Sequence, residues 1–207
     1  MSFKGLIYSA NVGTHRLTKY DHHTGHKVRD HDVLYHTVEG SMETRFEAKM
    51  LSRQIKILWP FQSTKWTAWM DSSLTQRLPL APAIDEWLKE DKTIVLIKHP
   101  WRNCAYDEID ECVRLKKMTD EEADRARREL KRREHPRDFG LWSLGFFVFG
   151  DNHFSLRHDW WHLYLMFGRD QIALPTLLRQ SNLMPHVRTL DFNIYDNKYF
   201  TFKSHGT

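Results

Sequence analysis

Short apolar runs alternate with amphipathic segments along the chain, and this alternation limits the fold more than any other feature of the sequence. The apolar runs are typical of buried strands, because they are short and end at small or polar residues. Strands that alternate with helices favour a sheet covered by helices over a sandwich. We therefore predict an α/β fold with a central sheet. The predicted strands are Gly5–Gly13, 31–38, Trp66–Met70, 93–98, 141–149 and short strands within 190–203.

Helical spacing of apolar residues marks the segments between the strands. In 42–57 the apolar residues recur every three or four positions, and basic residues occupy the other faces. A short helix is predicted around 84–89, and two helices within 106–134 meet near an N-cap pattern that begins at Thr119. A last helix is predicted over 158–178, where Pro175 should force a break or a new start.

The length of 207 residues fits a single domain over 1–207. A net charge of +4 favours anionic partners in general. The densest basic stretch, 125–137, is interleaved with Glu129 and Glu134, which is typical of a solvated helix. We therefore expect no nucleic acid as a partner, since a nucleoside diphosphate is a sufficient anion.

The two cysteines indicate a reducing compartment. Cys104 and Cys112 are predicted to lie on one helix, about two turns apart, where they cannot bond to each other. The sequence shows no leader after Met1 and no apolar run long enough to cross a bilayer. We expect a cytoplasmic protein without an integral membrane segment.

Asp71 is the first candidate for chemistry because it directly follows the strand Trp66–Met70 and precedes Ser72 and Ser73. Ligands of α/β sheets gather at the carboxyl ends of strands. A carboxylate there can hold Mg²⁺ or Mn²⁺ against a diphosphate. The alternative is an ordinary turn or helix cap, which the Asp-Ser sequence also favours.

Two further candidates lie towards the carboxyl end of the chain. His205 follows an aromatic strand and could be an additional metal ligand. Asp170 stands between Arg169 and Gln171 in a segment that is apolar on most sides, which suits a base or hydrogen-bonding role, although a surface ion pair is the simpler alternative. The histidine cluster within 15–26 has no cysteine beside it, so we interpret it as a solvated loop rather than a zinc site.

Four ordered motifs of the sequence resemble one family. They are Arg45-Phe-Glu-Ala-Lys49, Trp69-Met-Asp-Ser-Ser73, His99-Pro-Trp-Arg102 followed by Glu108, and Trp160-Trp161 followed by Arg169-Asp-Gln171. The pattern is similar to GT-A glycosyltransferase-like proteins, which include virus-encoded transferases and a plant and bacterial domain of unknown function. The motifs span about residues 5 to 205.

The resemblance implies a single GT-A, Rossmann-like domain with a mixed, mostly parallel sheet. Residues 1–100 would form the nucleotide-sugar-binding half and residues 101–207 the acceptor side. It implies a donor, most simply a UDP-sugar, a glycan or other hydroxyl acceptor, and Mn²⁺ or Mg²⁺ held by Asp71 and His205. Ser73 stands where the family pattern has a second Asp, which puts metal dependence in question and gives His205 more weight.

The resemblance also implies roles for other residues. Asp170 would remove the acceptor proton, with Arg169 beside it, or would instead hold the donor sugar in a retaining reaction. The remaining donor-binding candidates are Ser9, Asn11, Arg45, Lys49, Asp71, Ser73 and Arg102. The candidates for sugar and acceptor binding are Trp142, Trp160, Trp161 and Gln171, with at least one of the tryptophans expected in the core.

Two other classes of function fit parts of the sequence. A non-catalytic carbohydrate-binding module would use the tryptophans and retain a vestigial nucleotide site, which Ser73 slightly favours. A metal-dependent hydrolase or nuclease is suggested by the pairs His31-Asp32 and His158-Asp159. Such pairs arise readily by chance in a chain with 13 histidines, and no second acidic cluster accompanies them.

Overall fold

The structure is a computed structural model that describes residues 3–13, 32–59, 64–150 and 153–202. Its elements follow the predicted alternation of strands and helices. The strands are β1 (Gly5–Gly13), β2 (Val33–Ser41), β3 (Trp66–Met70), β4 (Leu74–Gln76), β5 (Ile94–Lys98), β6 (Trp142–Gly150), β7 (Val187–Leu190) and β8 (Phe200–Phe202). The helices are α1 (Arg45–Leu58), α2 (Ala81–Trp87), α3 (Ala105–Arg114), α4 (Asp120–Arg132), α5 (Phe154–Phe167) and α6 (Asp170–Gln180), with a 3₁₀ turn at Met184–His186.

Six strands form one sheet in the order β2-β1-β3-β6-β5-β7. Five of them run parallel, and β6 is antiparallel to both of its neighbours, β3 and β5. The prediction of an α/β fold with a mixed, mostly parallel sheet flanked by helices is therefore confirmed. Because β3 and β6 pair directly, strands from both predicted halves of the chain share the sheet; the division into a donor half and an acceptor half stays a prediction.

Apolar layers cover both faces of this sheet. On one face, alternate strand residues such as Leu6 and Phe147 pack against α1, α3, α4, α5 and α6. On the other face, residues such as Ile7 and Val148 pack against α2 and the small β4-β8 sheet. Because both of their faces are buried, the central strands β3, β5 and β6 are apolar almost throughout, whereas the edge strands β2 and β7 are partly exposed and carry polar residues.

The break in the last helical region does not lie where the sequence predicted it. The helix ends at Gly168, whose φ of 69° is left-handed and therefore suits glycine. Pro175 lies inside α6 instead, so the predicted break there is wrong. Proline removes one hydrogen bond, to the carbonyl of Gln171, but α6 is buried along most of its length, and this packing outweighs the loss.

The other boundaries differ from the predictions by a few residues. For example, α1 starts at Arg45 because Thr44 and Glu47 form a reciprocal capping box. Cys104 is the N-cap of α3 rather than part of it, and both cysteines are buried and unbonded. Among the described residues, no helix is long and apolar enough to cross a membrane.

Candidate active site

A cavity of about 200 Å³ opens at the carboxyl end of β3, where sheet ligands were expected. This volume is smaller than the roughly 300–1,000 Å³ of most ligand pockets. Only one end of a nucleotide-sized ligand would fit inside the cavity, and the rest would lie on the surface. Polar and charged side chains dominate its wall. The lining residues are Arg53, Lys56, Asp71, Ser73, Leu74, Ser143, Leu144, Gly145, Asp170, Gln171, Ile194, Tyr195 and Phe202.

A bulge in β6 shapes the floor of this cavity. The register between β5 and β6 shifts so that Leu96 pairs with Phe147 while the next residue, Ile97, pairs with Ser143. The strand residues between, which include Gly145, therefore have no partner on β5. The carbonyl oxygen of Gly145 instead accepts a 2.7 Å hydrogen bond from the backbone N–H of Asp71. Bulges often occur next to active sites because they redirect neighbouring side chains.

Asp71 is the accessible carboxylate of the cavity. Its side chain is 35% exposed. Its Oδ1 accepts a 2.7 Å hydrogen bond from the indole N–H of Trp69, and the Lys56 ammonium lies 4.0 Å from the same oxygen. A Cβ atom added at Gly145 would stand 3.5 Å from Asp71 Oδ2, so the absence of a side chain there leaves space beside that oxygen. Asp71 is thus held by Oδ1 and can meet a ligand with Oδ2.

Asp170 also lines the cavity, but the residue is only 2% exposed. Its Oδ2 lies 2.8 Å from Lys56 Nζ and 3.5 Å from Arg53 Nε. Burial alone would raise the pKa of the Asp170 carboxyl, but the charges of Arg53, Lys56 and Arg169 outweigh burial and hold this pKa well below its usual range. A general base works best with a pKa near the working pH. This geometry therefore argues against the base role predicted for Asp170 and favours a role in positioning its two cationic neighbours.

Arg53 and Lys56 line the cavity but were not predicted as site residues. Both belong to α1, and with Arg45 and Lys49 they are spaced by four, four and three positions, which places them on one helix face. This spacing was the available signal. The structure brings the last two of the four to the cavity, whereas Arg45 lies on the exposed first turn, away from the lining residues.

Lys49 lies on α1 between Arg45 and Arg53, near the positive charges of Arg53 and Arg169. Partial burial and the nearby charges of Arg169 and Arg53 lower the pKa of its ammonium. The Nε atoms of Arg53 and Arg169 are buried and make no hydrogen bond with the described residues. Several positive charges close together repel one another, so the cluster of Lys49, Arg53 and Arg169 favours binding of an anionic ligand.

A second buried carboxylate, Glu108, holds Arg102 away from the cavity. Arg102 Nε lies 2.8 Å from Glu108 Oε2, and Arg169 Nη2 lies 3.9 Å from Glu108 Oε1. Arg102, predicted to bind the donor, is therefore already paired within the protein. Arg169 is thus close to Glu108, and its charge also lowers the pKa of the neighbouring Asp170.

The predicted sugar-stacking tryptophans lie in or against the core. Trp160 is fully buried between the sheet and α6, and Trp142 is 4% exposed with its N–H donated to Thr189 Oγ1 at 3.0 Å. With their ring faces covered, neither can stack on a sugar, which corrects that prediction for both and confirms that at least one is core. Trp161 is half-buried, stacks on Tyr164 and does not line the cavity.

The remaining predicted residues fall into three groups. Ser73 and Gln171 line the cavity. Ser9 and Asn11 are buried on β1 outside it, and Ser9 Oγ forms a 3.0 Å hydrogen bond with Thr37 Oγ1. His205 and the histidines within 15–26 and at position 31 lie outside the described residues.

Aromatic residues that were not predicted from the sequence line the cavity or stack on its lining. Trp101 is 66% exposed and stacks on Tyr195 with ring centroids 5.4 Å apart and an interplanar angle of 16°. Tyr195 lines the cavity and also contacts Phe202 edge-on at 5.2 Å. The only hint in the sequence was that Trp101 lies within the charged His99–Arg102 motif.

The described residues do not by themselves make a metal site. They contain no group of three His, Cys, Asp or Glu side chains placed to hold an ion. At the cavity, Asp71 offers one carboxylate, and its Oδ1 is already bonded to Trp69 and close to Lys56. Metal dependence and the ligand role of His205 therefore stay predictions.

No protein-family model matches the chain, and no curated protein is similar to it in sequence. The solved structures that are similar to it in fold include three glycosyltransferases. A glycosyltransferase involved in the glycosylation of the major capsid of PBCV-1 has a TM-score of 0.47 and 10% identity, covering 98% of this chain and 94% of its own. The bifunctional glycosyltransferase WbbM has a TM-score of 0.48 and 13% identity over 91% of this chain and 38% of its own. Mouse xyloside xylosyltransferase 1 has a TM-score of 0.40 and 11% identity over 76% of this chain and 63% of its own.

Proposed function

We propose that the protein is a GT-A-type glycosyltransferase that moves a sugar from a nucleoside diphosphate donor, most simply a UDP-sugar, to the hydroxyl group of a glycan or other acceptor. One observation carries this proposal. An accessible carboxylate, Asp71, and a cation pair, Arg53 and Lys56, face the same small cavity at the carboxyl end of a parallel strand. Cations suit the anionic diphosphate of the donor, and a carboxylate can accept the proton of the acceptor hydroxyl.

The cations would bind and stabilise the diphosphate. Arg53 is partly exposed at the cavity, and Lys49 and Arg169 add positive charge behind it. As the bond between the sugar carbon and the phosphate oxygen breaks, negative charge builds up on the diphosphate. Positive groups fixed in advance stabilise that charge without having to reorganise. Asp170 and Glu108 would keep these cations in place.

Asp71 would accept the proton of the acceptor. In this step the acceptor oxygen bonds to the sugar carbon, the carbon–phosphate oxygen bond breaks, and the hydroxyl proton moves to Asp71 Oδ2. The Trp69 N–H fixes the carboxylate through Oδ1 and leaves Oδ2 directed at the space beside Gly145. Fixed orientation of the base contributes to the rate together with proton transfer itself.

Thermal unfolding with UDP, GDP, CDP and ADP, each with Mn²⁺, with Mg²⁺ and with chelator, tests the proposal. A ligand that binds only the native state at about 100 times its Kd should raise the midpoint by roughly 5–10 °C in a chain of this size. We expect the largest shift with UDP. A shift that chelator removes would support the predicted metal, and one that survives chelator would assign charge neutralisation to the arginine and lysine side chains. If none of the four diphosphates shifts the midpoint, the transferase proposal is wrong.

Filling the space at Gly145 should weaken nucleotide binding. The Cβ of Gly145→Ala would stand 3.0 Å from Ile194 Cδ1 and close to Asp71 Oδ2, at the floor of the cavity. We expect a rise of at least about fivefold in the Kd for UDP, measured by titration calorimetry, and overpacking should also lower the free energy of unfolding by up to about 1–3 kcal/mol. Gly40→Ala, on β2, is the matched control. Its Cβ would stand 3.3 Å from Leu51 Cδ2, and neither residue lines the cavity. Equal effects of the two variants on the Kd would contradict the assigned site.

A second candidate is carbohydrate binding without transfer, which the exposed ring of Trp101 favours. Such a protein would show midpoint shifts with oligosaccharides and none with nucleotides. The same unfolding assay with a panel of neutral oligosaccharides therefore separates the two functions.

A further inference from the structure

The exposed ring of Trp101 is fixed in place rather than free to rotate. One face of the indole is covered by Tyr195, which stacks on it nearly parallel. The edge is contacted by the His99 ring at a centroid distance of 5.7 Å and an angle of 74°. An aromatic ring that is two-thirds exposed but held on one face presents its other face to solvent as a flat apolar surface.

The backbone beneath Trp101 is also fixed. Nδ1 of His99 accepts hydrogen bonds from the N–H groups of Trp101, at 3.3 Å, and Arg102, at 3.1 Å. His99 is buried, and burial together with the charge of Arg102 lowers the pKa of its imidazole, which keeps Nδ1 available as an acceptor. Glu108 anchors Arg102 from the other side. The turn at 99–102 thus has its polar groups satisfied, and a rigid scaffold carries the exposed tryptophan.

Tyr195 connects this surface to the cavity. It lines the cavity, and burial together with the negative charge of Asp71 raises the pKa of its hydroxyl. Tyr195 is therefore close enough to Asp71 to interact with its charge, and the ring of Tyr195 stacks on Trp101. A ligand on the free face of Trp101 would be separated by the thickness of the indole from Tyr195, which belongs to the wall of the cavity that contains the accessible carboxylate.

We propose that the free face of Trp101 is the binding platform for a carbohydrate acceptor. This inference rests on the proposed transferase function and specifies the acceptor as a sugar ring rather than a protein or lipid hydroxyl. One face of a pyranose ring exposes mainly C–H groups, which pack on an indole, while its hydroxyl groups at the edge remain available for reaction. The position of Trp101 outside the cavity suits the acceptor, since the cations that attract the diphosphate, Arg53 and Lys56, line the interior.

The test compares Trp101→Ala with Trp101→Phe, which retains a flat ring. Initial rates of sugar transfer to a panel of methyl glycosides would be measured, with UDP release in the absence of acceptor as a second readout. Trp101→Ala should raise the acceptor KM by about three- to tenfold, the factor expected for a stacking contact. Trp101→Phe should have an acceptor KM close to that of the wild type. UDP release without acceptor and the Kd for UDP should not change. Phe46→Ala, another exposed aromatic residue, is the matched control because it lies on α1 away from the cavity lining.

The outcomes separate the platform from the transferase activity. An unchanged acceptor KM in Trp101→Ala, with normal UDP binding, would overturn the platform and leave the proposed function intact. A higher Kd for UDP in Trp101→Ala would show that the ring stacks on the nucleotide base, which also overturns the acceptor assignment. Failure of the wild-type protein to bind any of the four nucleoside diphosphates would instead contradict the proposed function.

Discussion

Asp71→Asn should lower the kcat/KM of sugar transfer by about 100- to 10,000-fold, the range over which a positioned acid or base contributes. The substitution retains an oxygen that can accept the Trp69 N–H hydrogen bond and removes only the negative charge. The backbone hydrogen bond from position 71 to the Gly145 carbonyl is also retained. We therefore expect a folded protein with a nearly unchanged unfolding midpoint and little transfer activity, measured as initial rates of UDP release over a range of acceptor concentrations.

The matched control is Asp159→Asn, which removes an exposed carboxylate on α5. It should leave transfer unchanged. It also tests the hydrolase alternative, because Asp159 belongs to the His158-Asp159 pair that suggested hydrolysis. Full activity of Asp71→Asn would remove Asp71 from the mechanism, whereas loss in Asp159→Asn alone would move the active site to α5.

The sequence predicted the fold well because the physical signals of the fold are local. The strand at Trp66–Met70 is a short apolar run with polar ends, and its carboxyl end was enough to single out Asp71. The boundary near Pro175 failed for a different reason. A proline weakens a helix by local rules, but burial of α6 is a tertiary effect that the sequence pattern does not report.

The site was predicted in part, because it depends on contacts between distant segments. Arg53 and Lys56 were visible as members of a basic helix face, yet only the packing of α1 against the sheet shows which turn meets the cavity. A glycine inside an apolar strand, Gly145, signals a bulge, but not the residue that the bulge exposes. The stacking of Trp101 on Tyr195 joins two loops far apart in the chain, and no spacing rule connects them.

The second large effect concerns the stability of the protein. Asp170→Asn leaves the buried Lys56 ammonium and the Arg53 guanidinium without their shared carboxylate. Breaking a buried ion pair from one side costs about 3–5 kcal/mol, which corresponds to a fall in the unfolding midpoint of roughly 6–20 °C for a chain of this length. Chemical denaturation and thermal unfolding would measure both quantities. Asp110→Asn, which removes one partner of an exposed pair with Arg127, should change stability little.

A double variant shows whether the loss comes from unpaired charge. Adding Lys56→Met to Asp170→Asn removes the stranded ammonium and replaces it by an apolar side chain of similar length. Part of the lost stability should return, because exchanging a buried pair for apolar groups costs less than breaking it. A double variant that is less stable than Asp170→Asn by the full effect of Lys56→Met alone would indicate that the two residues do not interact.

The pH dependence of stability gives an independent test of the same carboxylate. The pKa of Asp170 is lower in the folded protein than the value of about 3.9 for an unfolded aspartate. Its contribution to stability should therefore be complete above about pH 5 and decrease as the pH falls through 4 and below, where the unfolded chain takes up a proton before the folded one does. Asp170→Asn should show a smaller loss of stability than the wild type between about pH 5 and pH 2, because this proton no longer distinguishes the two states. Parallel stability curves for the two proteins over that interval would mean that Asp170 is not held as a buried, charge-paired carboxylate.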